Sequence, residues 1–574
     1  MKVYLSLGSN LGDRLLHLNA ALDLLDSGGC RLRRLSSVYE TAPLYYLKQP
    51  AFFNQVVACE TALSPEGLLA LIGRVERALK RRRLLRNGPR TVDIDILFYG
   101  GQTVRLPGLE IPHPRLAERE FVLAPLAEIA PGLRHPSAGL TARQMLAALK
   151  ERGGARRLPV TYSGVEAWLS ALPPPPAAEH YSLAPIKTAL ARLGGPEKKM
   201  GTVVHLAGST GKTSSACLAA AALSACGWRT GLYTSPHVLR LRERIKLDGR
   251  EISEEDFVDC FLAVESVSAG ELSFFETLTA MAFLYFSRQR VRFSVVEAGL
   301  GGRLDATNAA DGAVAGLTSV SLEHADLLGP GLKEIAAHKA GIIKKGAVVV
   351  TGALPPEAAR IVGRRAAAAG ARLFSPGPLP AVPALRKAGA FQLVNAAFAL
   401  KCAALAAAAA GLKFSPRRAL KKLPAALPPG RFQRLFIDGR RVIVDGAHNA
   451  EGVAALLKEF PEPPVCVAAF MRDKAIAGLV SALAAASSKL ILTRSLSYRS
   501  ARPSDVRRLL PPAARRAAEV AENPAKALRR ALRLAPPGGT VLVAGSLYLA
   551  GDILAGLGGR RAFHPREMLV KTGK

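Results

Sequence analysis

Three groups of residues have the types and spacing for chemistry. Residues 203–215, VVHLAGSTGKTSS, form an apolar run, a glycine-rich turn, and then Lys212, Thr213 and Ser214. That is the layout of a phosphate cradle. Gly208 and Gly211 let backbone N–H groups turn onto a polyphosphate, Lys212 reaches the terminal phosphates, and the hydroxyl after it helps to hold Mg²⁺. The common loop has four residues between its first glycine and Gly-Lys, whereas this one has two, so it is a short variant. A glycine-rich turn without a ligand is the competing reading. Strand and helix context favour the nucleotide. The second group is Asp93 and Asp95 in GPRTVDIDIL. Residues two apart on a strand share a face, so these carboxylates point together, a platform for Mg²⁺, while Val92, Ile94 and Ile96 face a core. Arg81, Arg83 and Arg90 lie near them in sequence and suit a polyphosphate better than a solvated strand face would. The third group is Ser235, Glu276, Glu297, His324 and Lys339. Each falls at a strand end or helix start.

Stepping outward, alternation and helical spacing give the supporting elements. Strands are predicted at 3–7, 35–40 and 52–60, with helices at 14–25 and 65–83, the second carrying Pro65 in its first turn. From residue 200 onward strands alternate with helices. Strands at 228–234, 292–297 and 315–320 end at Ser235, Glu297 and near His324, which predicts a parallel sheet with its chemistry at the carboxyl edge. A hairpin is predicted at 434–445 with Asp438-Gly439 as its turn, delivering DGAHN, followed by a strand at 539–544. The domain boundaries read as 1–157, 160–428 and 429–574, with residues 560–574 as a tail.

Composition narrows the class. A chain of 574 residues with nearly half of them hydrophobic can bury several cores. Its formal charge of +33 raises nucleic acid or acidic ligands as partners. The arginines are scattered, however, and no aromatic platform accompanies them, so nucleic-acid binding is not expected. Seven cysteines form no CxxC pair, which points to reduced, mostly buried thiols and a cytoplasmic protein. No run of ~18 apolar residues is read, the alanine-rich stretch 402–412 being taken as a short core helix, so no membrane span is expected. No signal peptide is read at MKVYLSLGSN.

The set GSN, TAP, QPAFFN, GPRTVDIDIL and IPHPRLAEREFVLAPL resembles hydroxymethyldihydropterin pyrophosphokinase of folate synthesis, over residues 1 to about 157. The resemblance implies a ferredoxin-like α+β fold that moves pyrophosphate from ATP to a pterin hydroxymethyl group. It implies two Mg²⁺ on Asp93 and Asp95, ATP phosphates on Arg81, Arg83, Arg90 and His113, and Arg119 in the catalytic region. Asn54 would read the pterin edge, Thr41 and Pro43 would line its pocket, and Phe52 and Phe121 would sandwich its ring. Stacking of a flat heteroaromatic between aromatics, with an amide as donor and acceptor, is sound chemistry. Three positions depart from the family pattern: Lys80 stands for Gly, Asn87 for Trp, and Phe52 for Tyr.

The stretches HLAGSTGKTS, YTSPHV, RERI, FFETLTAMAF, VVEAGLGGRLDATNA, LTSVSLEHADLLG and HKAGIIKKG resemble folylpolyglutamate synthase/dihydrofolate synthase, within the Mur-ligase-like ATP-dependent amide ligases. This resemblance runs from about Tyr162 to near Gly551. It implies a phosphate-loop α/β domain followed by a Rossmann-like α/β domain. ATP would be held by Gly208, Gly211, Lys212, Thr213, Ser214, Asn395, Arg431, Asp445 and His448. Ser235 and Glu276 would bind one Mg²⁺. His324 and Lys339 would bind a second, Lys339 as a carbamate. The departures are Thr213, Glu323, His338 and Phe391. The implied protein is a monomeric, bifunctional folate enzyme with two Mg²⁺ in each site. Its ligands are the pterin, dihydropteroate or folates, L-glutamate and ATP. Left open are a cell-wall type of amide ligase fused to a pterin kinase, a P-loop ATPase, and a fusion with one inactive half.

Overall fold

Strand β1 (Lys2–Ser9) shows how the first unit is built: Val3, Leu5 and Leu7 are buried on one face and Tyr4 on the other. The computed structural model describes residues 1–558, except 12–13, 45, 47–48, 50–51, 82–87, 150–153, 158–160, 173–180, 269–271, 378, 380–381 and 473. Arg83, Asn87 and the 560–574 tail lie outside the described residues. The chain forms two compact units, Met1–Trp168 and Leu169–Lys574.

In the first unit β1 pairs antiparallel with β4 (Phe52–Thr61) and β5 (Asp93–Tyr99). β2 (Cys30–Leu35) and β3 (Tyr39–Thr41) both pair with β4. A hairpin of β6 (Val104–Leu106) and β7 (Leu109–Ile111) follows, and β8 (Ala155–Arg157) closes the sheet beside β3. Helices Arg14–Ser27 and Pro65–Ala78 follow β1 and β4, which makes the β-α-β-β-α-β order of a ferredoxin-like fold once β2 and β3, the two halves of one interrupted strand beside β4, are counted together. The two helices cover one face of the sheet through Leu18, Leu22, Leu25, Leu68, Ile72 and Val75. Helix Glu120–Ile129 covers the other through Val122, Leu123 and Leu126.

Two predicted elements have different limits, each for a local reason. The strand predicted at 35–40 is broken after Leu35. The Ser36 hydroxyl accepts from Val56 N (2.9 Å), and Ser37 donates both N and Oγ to Glu128 (3.0 and 2.9 Å), so the chain leaves the ladder. The helix predicted to run to residue 83 ends at Ala78. There Arg81 N donates to Glu76 O and Lys80 N to Arg77 O (both 3.0 Å), with Lys80 at φ +57°. This is a left-handed helix stop that normally takes glycine.

The second unit carries two sheets. The larger has the order β12-β11-β10-β13-β9-β14-β15-β16. It comprises β9 (Thr202–Ala207), β10 (Thr230–Tyr233), β11 (Ile245–Leu247), β12 (Arg250–Glu251), β13 (Phe293–Glu297), β14 (Val314–Leu317), β15 (Val348–Thr351) and β16 (Arg372–Phe374). β11 pairs antiparallel with both β10 and β12, and every other pairing is parallel. The second sheet has the order β17-β18-β22-β19-β20-β21, made of β17 (Gln433–Ile437), β18 (Arg440–Val444), β19 (Val465–Ala468), β20 (Lys489–Leu492), β21 (Glu519–Val520) and β22 (Thr540–Ala544). Only β17 is antiparallel. Its hairpin turns at Asp438 (φ +48°) and Gly439 (φ +73°), the paired positive angles of a type I′ turn.

Behind β9, helix Lys212–Ala225 packs on helix Phe391–Ala409. Ala216, Ala219 and Ala220 meet Ala396, Ala399, Ala403 and Ala406, small residues that let the axes approach closely. The second helix is 19 residues long, longer than the core helix read from the sequence. By length and composition it could cross a membrane, but half of it is buried and Gln392, Asn395 and Lys401 interrupt it. All seven cysteines are free thiols, and all but Cys226 are buried.

Candidate active sites

In the first unit, β5 sends Ile94 and Ile96 into the core and turns Asp93 and Asp95 to the other face. The helix stop at Lys80 aims Arg81, whose guanidinium joins Glu76 and Asp93. Glu76 also accepts from Ile94 N (3.0 Å), tying the helix to the strand that bears the acids. Arg90 lies 2.5 Å from Asp93 Oδ2, and its backbone is pinned by Asn10 through N to Oδ1 (2.8 Å) and O to N (3.1 Å). Asp95 has looser cationic company: Arg119 at 3.6 Å and His113 at 3.9 Å. Burial, then the neighbouring Asp93, push the Asp95 carboxyl up to about 6. Burial and Arg119 lower His113. A half-buried pair of acids with one left poorly compensated fits a divalent cation. Among the described residues no three His, Cys, Asp or Glu side chains converge, so phosphate oxygens and water would complete such an ion's shell.

The predicted pterin residues gather along β3 and β4. Asn54 Nδ2 donates to Thr41 Oγ1 (2.8 Å), and its Oδ1 stands 3.1 Å from where a Cβ on Gly8 would be. Phe52 faces Thr41 across the ladder, under the Arg90 guanidinium at 5.4 Å. Phe121 opens helix Glu120–Ile129 beneath Arg119 at 5.5 Å. Pro43 is half-buried just past β3.

In the second unit, β9 leads into a tight loop. Gly208 has φ +153°, and a Cβ there would meet Thr318 Oγ1 at 1.9 Å; Gly211, at φ +83°, precedes helix Lys212–Ala225. The Gly208 carbonyl accepts from Lys212 Nζ (2.7 Å) and Lys339 Nζ (2.8 Å). Lys339 is buried and also donates to Glu323 (2.7 Å). Burial lowers Lys339 to about 8, opposed by Glu323. Burial works to raise Glu323, but Lys212 and Lys339 hold it down to about 2. His324, at φ +47°, follows directly, with Lys474 Nζ 3.3 Å from its Nε2.

Glu297 is the residue that the sequence left without a role. At the end of β13, 1% exposed, it accepts from Thr213 Oγ1 (2.8 Å) and Ser235 N (3.1 Å). Burial raises its pKa. A buried carboxylate met by a hydroxyl and an amide suits a cation beside the phosphate loop. Its position at the carboxyl end of a central strand was the available signal. Glu276 is placed differently. It is the third residue of helix Phe274–Arg288 and accepts from Ser273 N (3.0 Å) and Oγ (2.7 Å) in a capping box.

Both sheets of the second unit supply the rest. Asn395 lies over Gly211, its Oδ1 2.6 Å from that glycine's would-be Cβ, with its amide donated to Gln392 (2.9 Å). Arg431 and Thr213 line one cleft together with Pro236 and Lys246. Asp445 accepts from Phe432 N (2.7 Å) and Ala447 N (2.8 Å), so both of its oxygens shape the DGAHN turn. Burial lowers His448 to about 4; the neutral ring gives its Nδ1 proton to Gly446 O (2.7 Å) and keeps Nε2 as an acceptor. Ser214 is buried in the first turn of the loop's helix.

Comparison with known proteins places relatives on both units. Residues 4–131 match the family model of 7,8-dihydro-6-hydroxymethylpterin-pyrophosphokinase, and residues 430–547 match the Mur ligase, glutamate ligase domain. The chain is 33% identical over 342 residues to a folylpolyglutamate synthase of Lacticaseibacillus casei, covering 54% of this chain and 79% of that protein. It is 43% identical over 139 residues to the folic acid synthesis protein fol1 of Pneumocystis carinii, 24% of this chain but only 19% of that longer protein. The solved bifunctional folylpolyglutamate synthase/dihydrofolate synthase of Yersinia pestis, complexed with AMPPNP and a Mn ion, superposes with a TM-score of 0.61 at 28% identity. That match covers 69% of this chain and 98% of the other.

Proposed function

This chain belongs to the folylpolyglutamate synthase family, with a 7,8-dihydro-6-hydroxymethylpterin-pyrophosphokinase domain ahead of the ligase, and from that premise we propose how its residues run two ATP-dependent steps of folate synthesis. In the first, the pterin lies between Phe52 and Phe121 with its edge on Asn54, and Thr41 and Pro43 wall the pocket. Asp93 and Asp95 hold Mg²⁺. Arg81, Arg90, Arg119 and His113 surround the phosphates, Arg83 being assigned to them by the resemblance alone, while the hydroxymethyl oxygen takes the pyrophosphoryl group and AMP leaves. We assign this to residues 1–157.

The second step uses residues 160–428 and 429–574. Lys212 binds the terminal phosphates on the amides of 208–214, and Arg431 approaches from the other lobe. The γ-phosphoryl passes to a pteroate or folate carboxylate, the glutamate amine attacks that acyl phosphate, and an amide, ADP and phosphate result. Bound Mg²⁺ supplies charge neutralisation at the phosphates. Ser235 and Glu276, whose carboxylate also caps its own helix, are the residues that would hold one ion, with Glu297 beside Ser235 as a further candidate. His324 and Lys339 are those for a second. A carbamate on Lys339 would set an anion beside Glu323, which needs a cation between them, and the low basicity of Lys339 supplies the neutral amine that takes up CO₂. The chain acts on small molecules and as a monomer in this reading.

The observation that carries the proposal is the convergence of Lys212, Thr213, Glu297, Lys339 and Glu323 on one glycine loop. The test is purified chain with Mg-ATP and glutamate plus dihydropteroate, then tetrahydrofolate, scored by mass. No added glutamate on either substrate rejects the ligase. Hydroxymethyldihydropterin without AMP formation rejects the kinase.

A further inference from the structure

The tip of the phosphate loop is gripped by the other lobe of the same unit. Thr210 Oγ1 donates to Glu451 Oε2 (2.9 Å) and accepts from Asn449 Nδ2 (3.2 Å). Glu451 also accepts from Ser319 Oγ (3.2 Å), and Ser319 Oγ accepts in turn from Thr210 N (2.9 Å). Thr318 Oγ1 donates to Thr210 O (2.7 Å), so the loop tip is fixed from both its hydroxyl and its backbone.

The gripping side is the capped start of a helix. Asn449 caps helix Ala450–Leu457, its Oδ1 accepting from Gly452 N (2.8 Å) while its amide crosses to Thr210. Glu451 sits in the first turn of that helix. The same short segment, Asp445 to Glu451, therefore carries Asp445 and His448, which the family resemblance assigns to the nucleotide, and the two side chains that hold the loop tip. Glu451 is exposed, where a hydrogen bond made in the protein replaces one made to water, so the contact is not a stability device. What it fixes is register: how far the DGAHN turn stands from the loop that cradles the phosphates.

We infer that Thr210, Asn449 and Glu451 form a cross-lobe clamp that sets the two lobes in the reactive arrangement, with Thr210 and Glu451 as positioning residues for the ligase step. The inference rests on the amide-ligase reading. A clamp that acts as a unit makes specific demands. Removing either end loses the same thing, so the effects do not add. Holding lobes in register acts on turnover rather than on the initial grip of ATP, which the loop amides and Lys212 supply by themselves.

The experiment uses the full chain as wild type, T210V, T210S, E451A and T210V/E451A. Glutamate addition gives kcat and KM, titration with a fluorescent ATP analogue gives Kd for the second unit, and AMP formation from hydroxymethyldihydropterin on the same preparations reports an intact first unit. Small-angle scattering with a non-hydrolysable ATP analogue reads lobe closure independently of turnover. Expected is a kcat lowered about tenfold in T210V and E451A, and by no more than that in the double variant. ATP affinity should stay within about twofold, and T210S should sit within about twofold of wild type because it keeps the hydroxyl. The variants should also fail to reach the closed scattering profile. Additive losses of about a hundredfold, a parallel rise in ATP Kd, or closure and kcat unchanged would each overturn the clamp. A wild-type chain that adds no glutamate but closes on the analogue would reject the ligase reading, and the scattering of the variants would still decide the clamp.

Discussion

Lys80 is the residue whose departure from its relatives has the plainest physical meaning. The resemblance singles it out as a position usually held by glycine, and the backbone shows why: φ is +57° in a helix stop whose hydrogen bonds place Arg81 against Asp93. A side chain there costs about 1 kcal/mol relative to glycine. Lys80→Gly should therefore raise the melting transition of the first unit by a few degrees, ~2–4 °C. A calorimetric trace unchanged or lowered would contradict the strain argument. Glu297 gives the second prediction at this scale. Glu297→Gln keeps the shape and one acceptor but removes the buried charge, so glutamate addition should fall by ~10²–10³ in kcat/KM while AMP formation is untouched. Equal loss of both activities would mean misfolding rather than a lost ion site. Lys339 gives the third. Its basicity, lowered to about 8, means that the neutral amine becomes more abundant as pH climbs from 6.5 toward 8. CO₂-depleted protein should accordingly regain ligase rate on adding bicarbonate, and, at matched dissolved CO₂, faster at pH 8 than at pH 6.5. A bicarbonate response absent at both pH values would count against the carbamate.

Elements were legible where one face had to be buried. The alternation in β1 and β5, the type I′ turn at Asp438-Gly439 and the strand-loop-helix around Gly208 could all be read because each follows from local sterics or periodicity. The limits that could not be read depend on distant partners. Nothing near Ser37 reports that Glu128, on a later helix, takes it out of the strand. The apolar helix Phe391–Ala409 has mixed polar residues whose meaning appears only when Asn395 is seen over Gly211. Site residues followed the same divide. Asp93, Asp95, Lys212 and Lys339 sit in recognisable stretches, whereas the candidacy of Glu297 beside Glu276 emerges only from which carboxylate meets Thr213. The loop's geometry yields an element-scale prediction. Gly208→Ala puts a methyl within 1.9 Å of Thr318 Oγ1, so the loop must distort. ATP binding by the second unit should be lost, and the number of analogue molecules bound per chain should drop by about one. An unchanged stoichiometry would show that the loop tolerates the clash.

At the scale of the molecule, each unit has its own core and its own candidate site. The activities should therefore separate by mutation. Asp95→Asn should abolish AMP formation from the pterin and leave glutamate addition within about twofold of wild type, as expected of sites that share no partner. Loss of both from that single change would mean that the units are coupled.

The packing of helix Lys212–Ala225 on helix Phe391–Ala409 carries a consequence for how the protein comes into being. Synthesis proceeds from the amino terminus, and the first unit has all its internal contacts within Met1–Trp168, so it can complete its fold while the remainder is still being made. The phosphate loop lies early in the second unit, yet the helix that backs it and the Asn395 above it arrive long afterwards. Such non-local closure is slow. One apolar face of helix Lys212–Ala225 must wait, uncovered, for a partner far down the chain. In refolding from denaturant the pterin activity should return before the ligase activity, and the interval between them is the period in which the young chain most needs a chaperone.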